Sequence, residues 1–229
     1  MEIRVFGSSS KGNCYLIEDG DSHLLIEAGI NPKYLQVDWP KVDAILLTHE
    51  HGDHAKYINQ VIKRCASSVY CTQGTAQAID VPKYRTMTVK ATEPFTVKGW
   101  NILPFDVEHD VNEPVGYLID SPSGKRILFA TDTYYIRYRF NNVTHMMVEC
   151  NYSLEILNQN YDAGRIDKGR RNRLLTSHFE LGNVIEFIKA NDITKLEEIY
   201  LLHLSDSNSN ADQFKQAIEQ VTGTPVTIA

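Results

Sequence analysis

The sequence predicts a mixed α/β or α+β sandwich, and three observations lead to this prediction. Many predicted strands come first in the chain. Helices are interspersed among the later strands without strict alternation, which argues against a regular doubly wound sheet. No repeat or low-complexity linker interrupts the 229 residues, so the chain is predicted to form one domain, residues 1–229.

Short apolar runs separated by turn residues define the first elements. Ile3–Phe6 is predicted to be a strand, and the small residues 7–13 (GSSSKGN) a loop. Cys14–Ile17 and His23–Glu27 are predicted to pair as a hairpin, because the Asp-Gly between them is a preferred turn. The run 42–47 (VDAILL) is too short for a helix and predicts a central buried strand.

The pattern becomes helical after His54, where apolar residues recur at helical spacing between positions 57 and 62. Two further helices are predicted near the end of the chain, at Leu181–Ala190 and Ala211–Val221. Other short apolar runs predict strands, at positions 68–71, 86–89, 94–97, 101–107, 114–120, 125–130, 145–150 and 199–204.

Composition limits the functional classes. The net charge of −6 argues against a wholly basic nucleic-acid binder but allows a local basic patch. Four cysteines without a CxxC pair predict buried, reduced thiols. The first residues do not resemble a signal peptide, and no apolar run approaches the ~18–20 residues of a membrane span. The sequence therefore predicts a cytoplasmic protein without a membrane partner.

The stretch THEHGDH concentrates potential metal ligands directly after the predicted buried strand. His49 and His51 are two positions apart, so in an extended loop both imidazoles can point toward one ion. Gly52 permits a tight turn, after which Asp53 and His54 can face a second ion. Two adjacent divalent ions form a two-metal hydrolase centre.

Three further candidate ligands each follow an apolar, strand-like run. They are His109 after ILPFDVE, Asp132 after RILFAT and His203 after EIYLL. The carboxyl ends of strands commonly present functional groups to a cleft. Singly, each residue could be a buried hydrogen-bonded group, but the coincidence with HxHxDH favours metal ligands.

The motif HxHxDH, followed in order by a lone histidine, an aspartate and a final histidine, resembles the metallo-β-lactamase superfamily. The resemblance covers nearly the whole chain and implies an α+β fold, a four-layer αββα sandwich with a dinuclear site at one edge. The ions would be zinc or manganese, with iron as a further alternative. By position, one ion would bind His49, His51 and His109, the other Asp53, His54 and His203, and Asp132 would bridge them.

The segments GSSSKGNCYLI, HLLIEAGI and HDVNEPVGYLID resemble the WalJ/YycJ-type branch of bacterial 5′ exonucleases, and ribonuclease Z and small phosphodiesterases share much of the pattern. Glu27 stands where the branch usually has aspartate, and the chain is somewhat short for it. TSHFELGN resembles a motif of the branch, which implies that His178 assists the departing oxygen. Asp53 and His178 are the predicted catalytic residues. Glu149 either orients a ligand histidine or is a plain strand-end carboxylate.

A basic segment precedes His178 in an otherwise acidic chain. Arginine binds phosphate oxygens through its planar guanidinium, so the segment predicts a contact with a nucleic-acid backbone; a solvated loop is the alternative. The predicted substrate-binding residues are Arg165, Lys168, Arg170, Arg171 and Arg173. Four tyrosines could stack nucleobases or simply cover strand faces: Tyr134, Tyr135, Tyr138 and Tyr152.

The leading hypothesis is a dinuclear metal-dependent phosphodiesterase acting on nucleic acid, specifically a 5′ exonuclease. One alternative is a small-molecule phosphodiesterase acting on, for example, cyclic nucleotides. Another is a catalytically silent metal-binding protein on the same scaffold. A thioester or β-lactam hydrolase is less favoured, because the opening and the His178 motif differ. The sequence leaves open DNA or RNA, the polarity of digestion and the oligomeric state, and a homodimer is one state it allows.

Overall fold

The computed structural model describes residues 1–229 and contains two compact units. The first unit comprises Met1–Asp106 and Val111–Lys125. The second comprises Val107–Asp110 and Arg126–Ala229. Each unit has strands, helices and buried side chains of its own. The single domain over residues 1–229 remains a prediction.

The first unit contains a six-stranded sheet whose strands follow one another in chain order. These strands are β1 (Glu2–Ser9), β2 (Gly12–Asp19), β3 (Ser22–Ile26), β4 (Val42–Leu46), β5 (Val69–Thr72) and β6 (Thr86–Val89). Strands β1 to β3 pair antiparallel, and β3 to β6 pair parallel. Parallel strands covered on both faces are apolar along their length, which explains the continuous run in β4. The predicted hairpin and central strand are confirmed.

An antiparallel group of three strands and several short helical turns complete the first unit. The strands are β7 (Phe95–Val97), β8 (Trp100–Asp106) and β9 (Val115–Asp120), and the helices are α1 (Gly52–Ala55), α2 (Ile58–Val61) and α3 (Gln73–Ala78). Single 3₁₀ turns lie at Pro32–Tyr34, Trp39–Lys41 and Lys83–Arg85. Apolar residues of β2 to β5 pack with Ile58 and Val61 of α2 in one core, so the short helices are held by burial.

The second unit is a four-stranded parallel arrangement with four helices. Its strands are β10 (Arg126–Ala130), β11 (His145–Glu149), β12 (Glu198–Leu202) and β13 (Val226–Ile228). Its helices are α4 (Leu154–Asp162), α5 (Lys168–Ser177), α6 (Leu181–Lys189) and α7 (Ala211–Thr222). The predicted helices near the end of the chain are therefore confirmed as α6 and α7.

Some predicted elements are wrong. Residues 7–13 are not a loop, because β1 extends through Ser9 and β2 begins at Gly12. The helical pattern after His54 forms two separate turns, α1 and α2. Helices α3, α4 and α5 were not predicted. No helix in the structure combines the length and apolar character needed to cross a membrane.

Candidate metal centre

The HxHxDH stretch follows the end of β4, and a hydrogen bond anchors the chain between the two. The Leu47 carbonyl accepts a hydrogen bond of 2.6 Å from the buried Tyr117 hydroxyl. Helix α1 then begins at Gly52 and brings Asp53 and His54 into its first turn. A strand end and a single helical turn thus carry all the potential ligands of this stretch.

The four ligand candidates of the first unit lie side by side. The ring centroid of His49 is 4.1 Å from that of His54 and 4.9 Å from that of His51. Oδ2 of Asp53 lies 3.4 Å from Nε2 of His54. His49 and His54 are buried, whereas His51 and Asp53 are partly exposed. Three imidazoles and one carboxylate therefore converge at the edge of this unit's interior.

Neighbouring strands hold this group in place. Nδ2 of Asn13 lies 3.0 Å from His54 Nε2 and 3.3 Å from Asp53 Oδ2. Oε2 of Glu27 lies 3.6 Å from the other ring nitrogen of His54, and burial raises the pKa of this carboxyl although His54 opposes the shift. A Cβ on Gly29 would lie 1.7 Å from the Asp53 carbonyl oxygen, so only glycine permits this approach.

Three ligand candidates of the second unit also lie close together. Asp132 lies between the two histidines, with Oδ2 3.9 Å from His109 Nε2 and Oδ1 3.6 Å from His203 Nδ1. Nδ1 of His109 lies 3.0 Å from the Ser177 carbonyl oxygen at the end of α5. Burial lowers the pKa of His109, although Asp132 opposes this shift. A neutral imidazole is the form that binds a metal ion.

Glu149, at the end of β11, joins this group to His178. Its Oε1 lies 2.6 Å from His178 Nδ1 and 3.1 Å from His203 Nδ1. Its Oε2 accepts hydrogen bonds from the backbone N–H groups of Thr133 (2.9 Å) and Phe179 (3.1 Å). The carboxylate is fully buried and both of its oxygens are fully used. Glu149 thus contacts the ligand candidate His203 as well as His178, a position from which a carboxylate can orient an imidazole.

The same contacts change the protonation of His178. Burial alone would lower the pKa of His178, but the Glu149 carboxylate outweighs it and raises this pKa above its usual value. Burial would conversely raise the pKa of Glu149, but His178 and His203 lower it. Both shifts favour the charged forms of the pair. The His178 ring lies 5.4 Å from that of His203 and 5.7 Å from that of His109.

Three residues of these groups have a left-handed backbone. The φ angles are 65° at Glu27, 47° at Asp132 and 53° at His203. Such values are uncommon for residues other than glycine and cost of order 1–3 kcal/mol each. Backbone strain of this kind clusters at functional sites. Here it falls on two predicted ligands, Asp132 and His203, and on Glu27, whose carboxyl lies beside His54.

The donor atoms have the chemistry that a divalent metal ion requires. They are imidazole nitrogens and carboxylate oxygens, which bind zinc, manganese and iron. Four of these residues are gathered within the first unit and three within the second. The family model of the β-lactamase superfamily domain matches residues 24–203 of this chain.

The chain belongs to the β-lactamase superfamily. Together with the histidine and aspartate groups, this membership makes it a metal-binding hydrolase of the superfamily. The resemblance inferred from HxHxDH and from the residues that follow it is confirmed.

Relatives within the superfamily include two exonucleases. The chain is 24% identical over 239 residues to the exodeoxyribonuclease YycJ of Bacillus anthracis, covering 96% of this chain and 89% of the relative. It is 27% identical over 229 residues to the exodeoxyribonuclease WalJ of Streptococcus pneumoniae serotype 2, strain D39, covering 91% and 83%. The crystal structure of the metallo-β-lactamase fold protein YhfI from Bacillus subtilis superposes with a TM-score of 0.75 at 19% identity, over 99% of this chain and 95% of that one. The predicted α+β metallo-β-lactamase sandwich is confirmed.

The basic segment of this superfamily member is helical from Lys168 onward, and two of its arginines are engaged within the protein. Nη1 of Arg165 donates a 2.8 Å hydrogen bond to Asn160 Oδ1. Nη2 of Arg171 donates a 2.7 Å hydrogen bond to Asn158 Oδ1. Arg171 thus joins α5 to α4, and Arg165 joins the segment between the two helices to α4.

The other three basic residues differ in their surroundings. Arg173 lies 3.4 Å from Asp110, the residue that follows the ligand candidate His109. Lys168 and Arg170 are exposed, with side chains that form neither an ion pair nor a hydrogen bond. These two are the basic side chains of α5 that are most available to an anionic partner.

The four tyrosines also separate into two classes. Tyr152 is buried against Leu157 and Ile166, and the Tyr138 ring lies 6.3 Å from that of Phe140. Tyr134 and Tyr135 are exposed at 37% and 51%. Tyr138 is half-buried, so Tyr134 and Tyr135 are the two of the four whose rings are most accessible to a nucleobase.

Sequence reasoning missed one residue that contacts the ligand candidates, Asn13. Asn13 was assigned to a loop, yet its amide contacts both His54 and Asp53. Its position in an apolar strand gave no signal of this role. Glu50, inside HxHxDH, accepts a 3.1 Å hydrogen bond from the backbone N–H of Asn112.

Proposed function

We propose that this hydrolase is a dinuclear metal-dependent phosphodiesterase that acts on nucleic acid as a 5′ exonuclease. The observation that carries the proposal is the Glu149–His178 pair beside the ligand candidate His203. A histidine that is kept protonated is suited to a reaction with a poor, anionic leaving group. The similarity to two exodeoxyribonucleases over most of their length supports nucleic acid as the substrate.

The proposed metal centre uses the imidazole and carboxylate donors described above. When bound, two divalent ions supply an activated water and neutralise charge on the transferring phosphate. Zinc and manganese fit the mixed donors best, and iron is also compatible. The proposed ligands are His49, His51, Asp53, His54, His109, Asp132 and His203.

His178 is the proposed proton donor. Its Nδ1 is engaged by Glu149, which leaves Nε2 to face a departing oxygen. The Glu149 carboxylate raises the pKa of His178, which favours the protonated ring that proton donation requires. Transfer of this proton to the departing oxygen would neutralise the alkoxide as the P–O bond breaks. Such general acid catalysis typically contributes about 10²–10⁴-fold.

Activity on a panel of nucleic acids tests the proposal directly. We expect 5′-labelled single- or double-stranded DNA or RNA to release nucleotides from the 5′ end when Mn²⁺ or Zn²⁺ is supplied separately. Asp132→Ala is the inactive control. Hydrolysis of bis(p-nitrophenyl) phosphate without cleavage of any polymer would favour a small-molecule phosphodiesterase. Metal binding without hydrolysis of either substrate would favour a silent binding protein.

Helix α5 is proposed to contact the nucleic-acid backbone through its exposed cations. The double variant Lys168→Ala/Arg170→Ala should weaken polymer cleavage and reduce the slope of log K against log salt by about 1 per cation. Hydrolysis of bis(p-nitrophenyl) phosphate should be unaffected. Lys63→Ala/Arg64→Ala, an equal change of charge at exposed positions of the first unit, is the matched control. Equal losses on polymer and small ester would contradict this role, as they would for the triple variant Arg170→Ala/Arg171→Ala/Arg173→Ala.

A further inference from the structure

A cavity of about 280 Å³ in the second unit is lined largely by aromatic rings. Tyr134 and Tyr135 form its partly exposed wall, and the buried rings of Phe179 and Phe187 form its interior. The two phenylalanine rings lie 6.0 Å apart at an angle of 48° and support each other. Neither tyrosine ring is stacked on another ring of the protein, so both rings are available to a flat ligand.

The cavity is connected to the site through Glu149. Oε2 of Glu149 accepts hydrogen bonds from the backbone N–H groups of Thr133 and Phe179 and so fixes the backbone on both sides of the cavity. Oγ1 of Thr133 then donates to the Tyr135 carbonyl at 2.9 Å and accepts from the Tyr135 N–H at 3.3 Å. The other oxygen of the same carboxylate binds His178. The aromatic walls are therefore positioned by the group that orients the proposed proton donor.

We propose that this cavity binds one nucleobase of the substrate, that of a nucleotide next to the scissile phosphate. The inference rests on the proposed nuclease function. The cavity volume of about 280 Å³ lies just below the range for small-molecule sites, roughly 300–1,000 Å³, which suits one ring system. Aromatic faces accept any base by stacking, so such a site would bind bases with little sequence preference.

Polar side chains at the same cavity match the edge of a base. The guanidinium of Arg139 supplies donors, and the amide of Asn183 supplies both a donor and an acceptor. Both residues are exposed and can therefore rearrange around different bases. A purely apolar ligand would leave these groups without a function, whereas a nucleobase uses both the rings and the polar groups.

Abasic substitution tests the inference in the metal-loaded, full-length protein. A series of single-stranded oligonucleotides would each carry one tetrahydrofuran abasic residue at a successive position from the 5′ end. At one position next to the cleaved bond, the wild-type rate should fall by about 5- to 150-fold, the range expected for loss of one base–aromatic stack. Tyr135→Ala should slow cleavage of the natural oligonucleotide by a similar factor and leave the abasic one unchanged.

Two control variants separate stacking from folding. Tyr135→Phe keeps the ring and should retain the wild-type rate on both oligonucleotides. Tyr84→Ala, at a tyrosine that is 83% exposed in the first unit, should have no effect. If Tyr135→Ala proves unstable, Tyr134→Ala provides the same comparison on the same wall.

The outcomes distinguish this inference from the proposed function. If the wild type cleaves natural and abasic oligonucleotides equally, the nucleobase site is refuted while the nuclease function stands. Equal slowing of both oligonucleotides by Tyr135→Ala would also refute it, because the loss would not depend on a base. If no oligonucleotide is cleaved, the proposed function fails, and the inference fails with it.

Discussion

Replacement of Glu149 by glutamine is the sharpest test of how the second unit is organised. The carboxylate accepts four hydrogen bonds, from the side chains of His178 and His203 and from the backbone of Thr133 and Phe179. Glutamine has nearly the same shape but replaces one acceptor oxygen with an NH₂ donor. Whichever way the amide turns, two of these four donors lose their acceptor.

The magnitude follows from the number of lost contacts. A hydrogen bond to a charged group contributes about 1.5–3 kcal/mol, and the site is fully buried, so water cannot replace the carboxylate. Loss of two such bonds predicts that the free energy of unfolding falls by about 3–6 kcal/mol, which overlaps the ~3–5 kcal/mol typical of breaking a buried charge pair. This is a large fraction of the ~5–15 kcal/mol that is typical of a folded domain.

Urea denaturation of the Glu149→Gln variant and of the wild type, both freed of metal with a chelator, would measure this difference. Glu155→Gln, on the exposed face of α4, is the matched control and should change the free energy of unfolding by less than about 0.5 kcal/mol. NMR titration of His178 in the same variant should show a lower pKa than in the wild type. Unchanged stability together with an unchanged His178 pKa would show that Glu149 does not hold this group.

Three further predictions concern metal binding, pH and thiol reactivity. Adding Zn²⁺ or Mn²⁺ at 100 times its Kd to the metal-free protein should raise the free energy of unfolding by about 2.7 kcal/mol, measured by thermal unfolding. Asp132→Ala should abolish most of this gain. Because Glu149 raises the pKa of His178, cleavage should persist above pH ~6.5 and decline as the pH rises through the raised pKa. Glu149→Gln should move this decline to lower pH. An unchanged decline in the pH–rate profile of that variant would contradict the role of His178 as proton donor. All four cysteines are buried and burial raises the pKa of Cys71 to about 12, so Ellman's reagent should label none in the folded protein and four after denaturation; rapid labelling of any native thiol would disagree with the structure.

The ligand candidates were predictable because their signals are local. The three histidines and the aspartate of HxHxDH lie within six residues, and His109, Asp132 and His203 each follow an apolar strand. Such strands are recognised by short-range periodicity. The structure gathers the candidates of each unit, while their union in one centre rests on the proposed function.

The contacts of Glu149 could not be predicted, because its partners come from distant positions. Thr133, the adjacent residues 178 and 179, and His203 belong to three separate segments, and nothing in the local sequence VECNY indicates that they converge. Tertiary contacts also decide the β1–β2 hairpin. Small residues indicated a loop, yet the Ser8 and Tyr15 hydroxyls lie 2.7 Å apart across the pair. Strand formation depends on such cross-strand partners more than on propensity.

Helix α5 escaped prediction for a related reason. Its sequence, KGRRNRLLTS, has too little apolar periodicity to indicate a helix. The structure begins it with a side-chain cap, since Asp167 accepts a hydrogen bond from Arg170 N at 2.9 Å. Leu174 and Leu175 then pack on the small cluster around Tyr152. A cap and two leucines suffice once that cluster exists, but the cluster is not visible from the segment alone.

The left-handed backbone at Asp132 and His203 limits how far this chain can be engineered for heat tolerance. Glycine adopts those φ angles readily, so a screen that rewards thermal survival alone would favour glycine at positions 132 and 203. Each such gain would remove a proposed metal ligand. Robustness and turnover are therefore directly opposed at these two positions, and any thermostable variant of this enzyme should be selected by its activity.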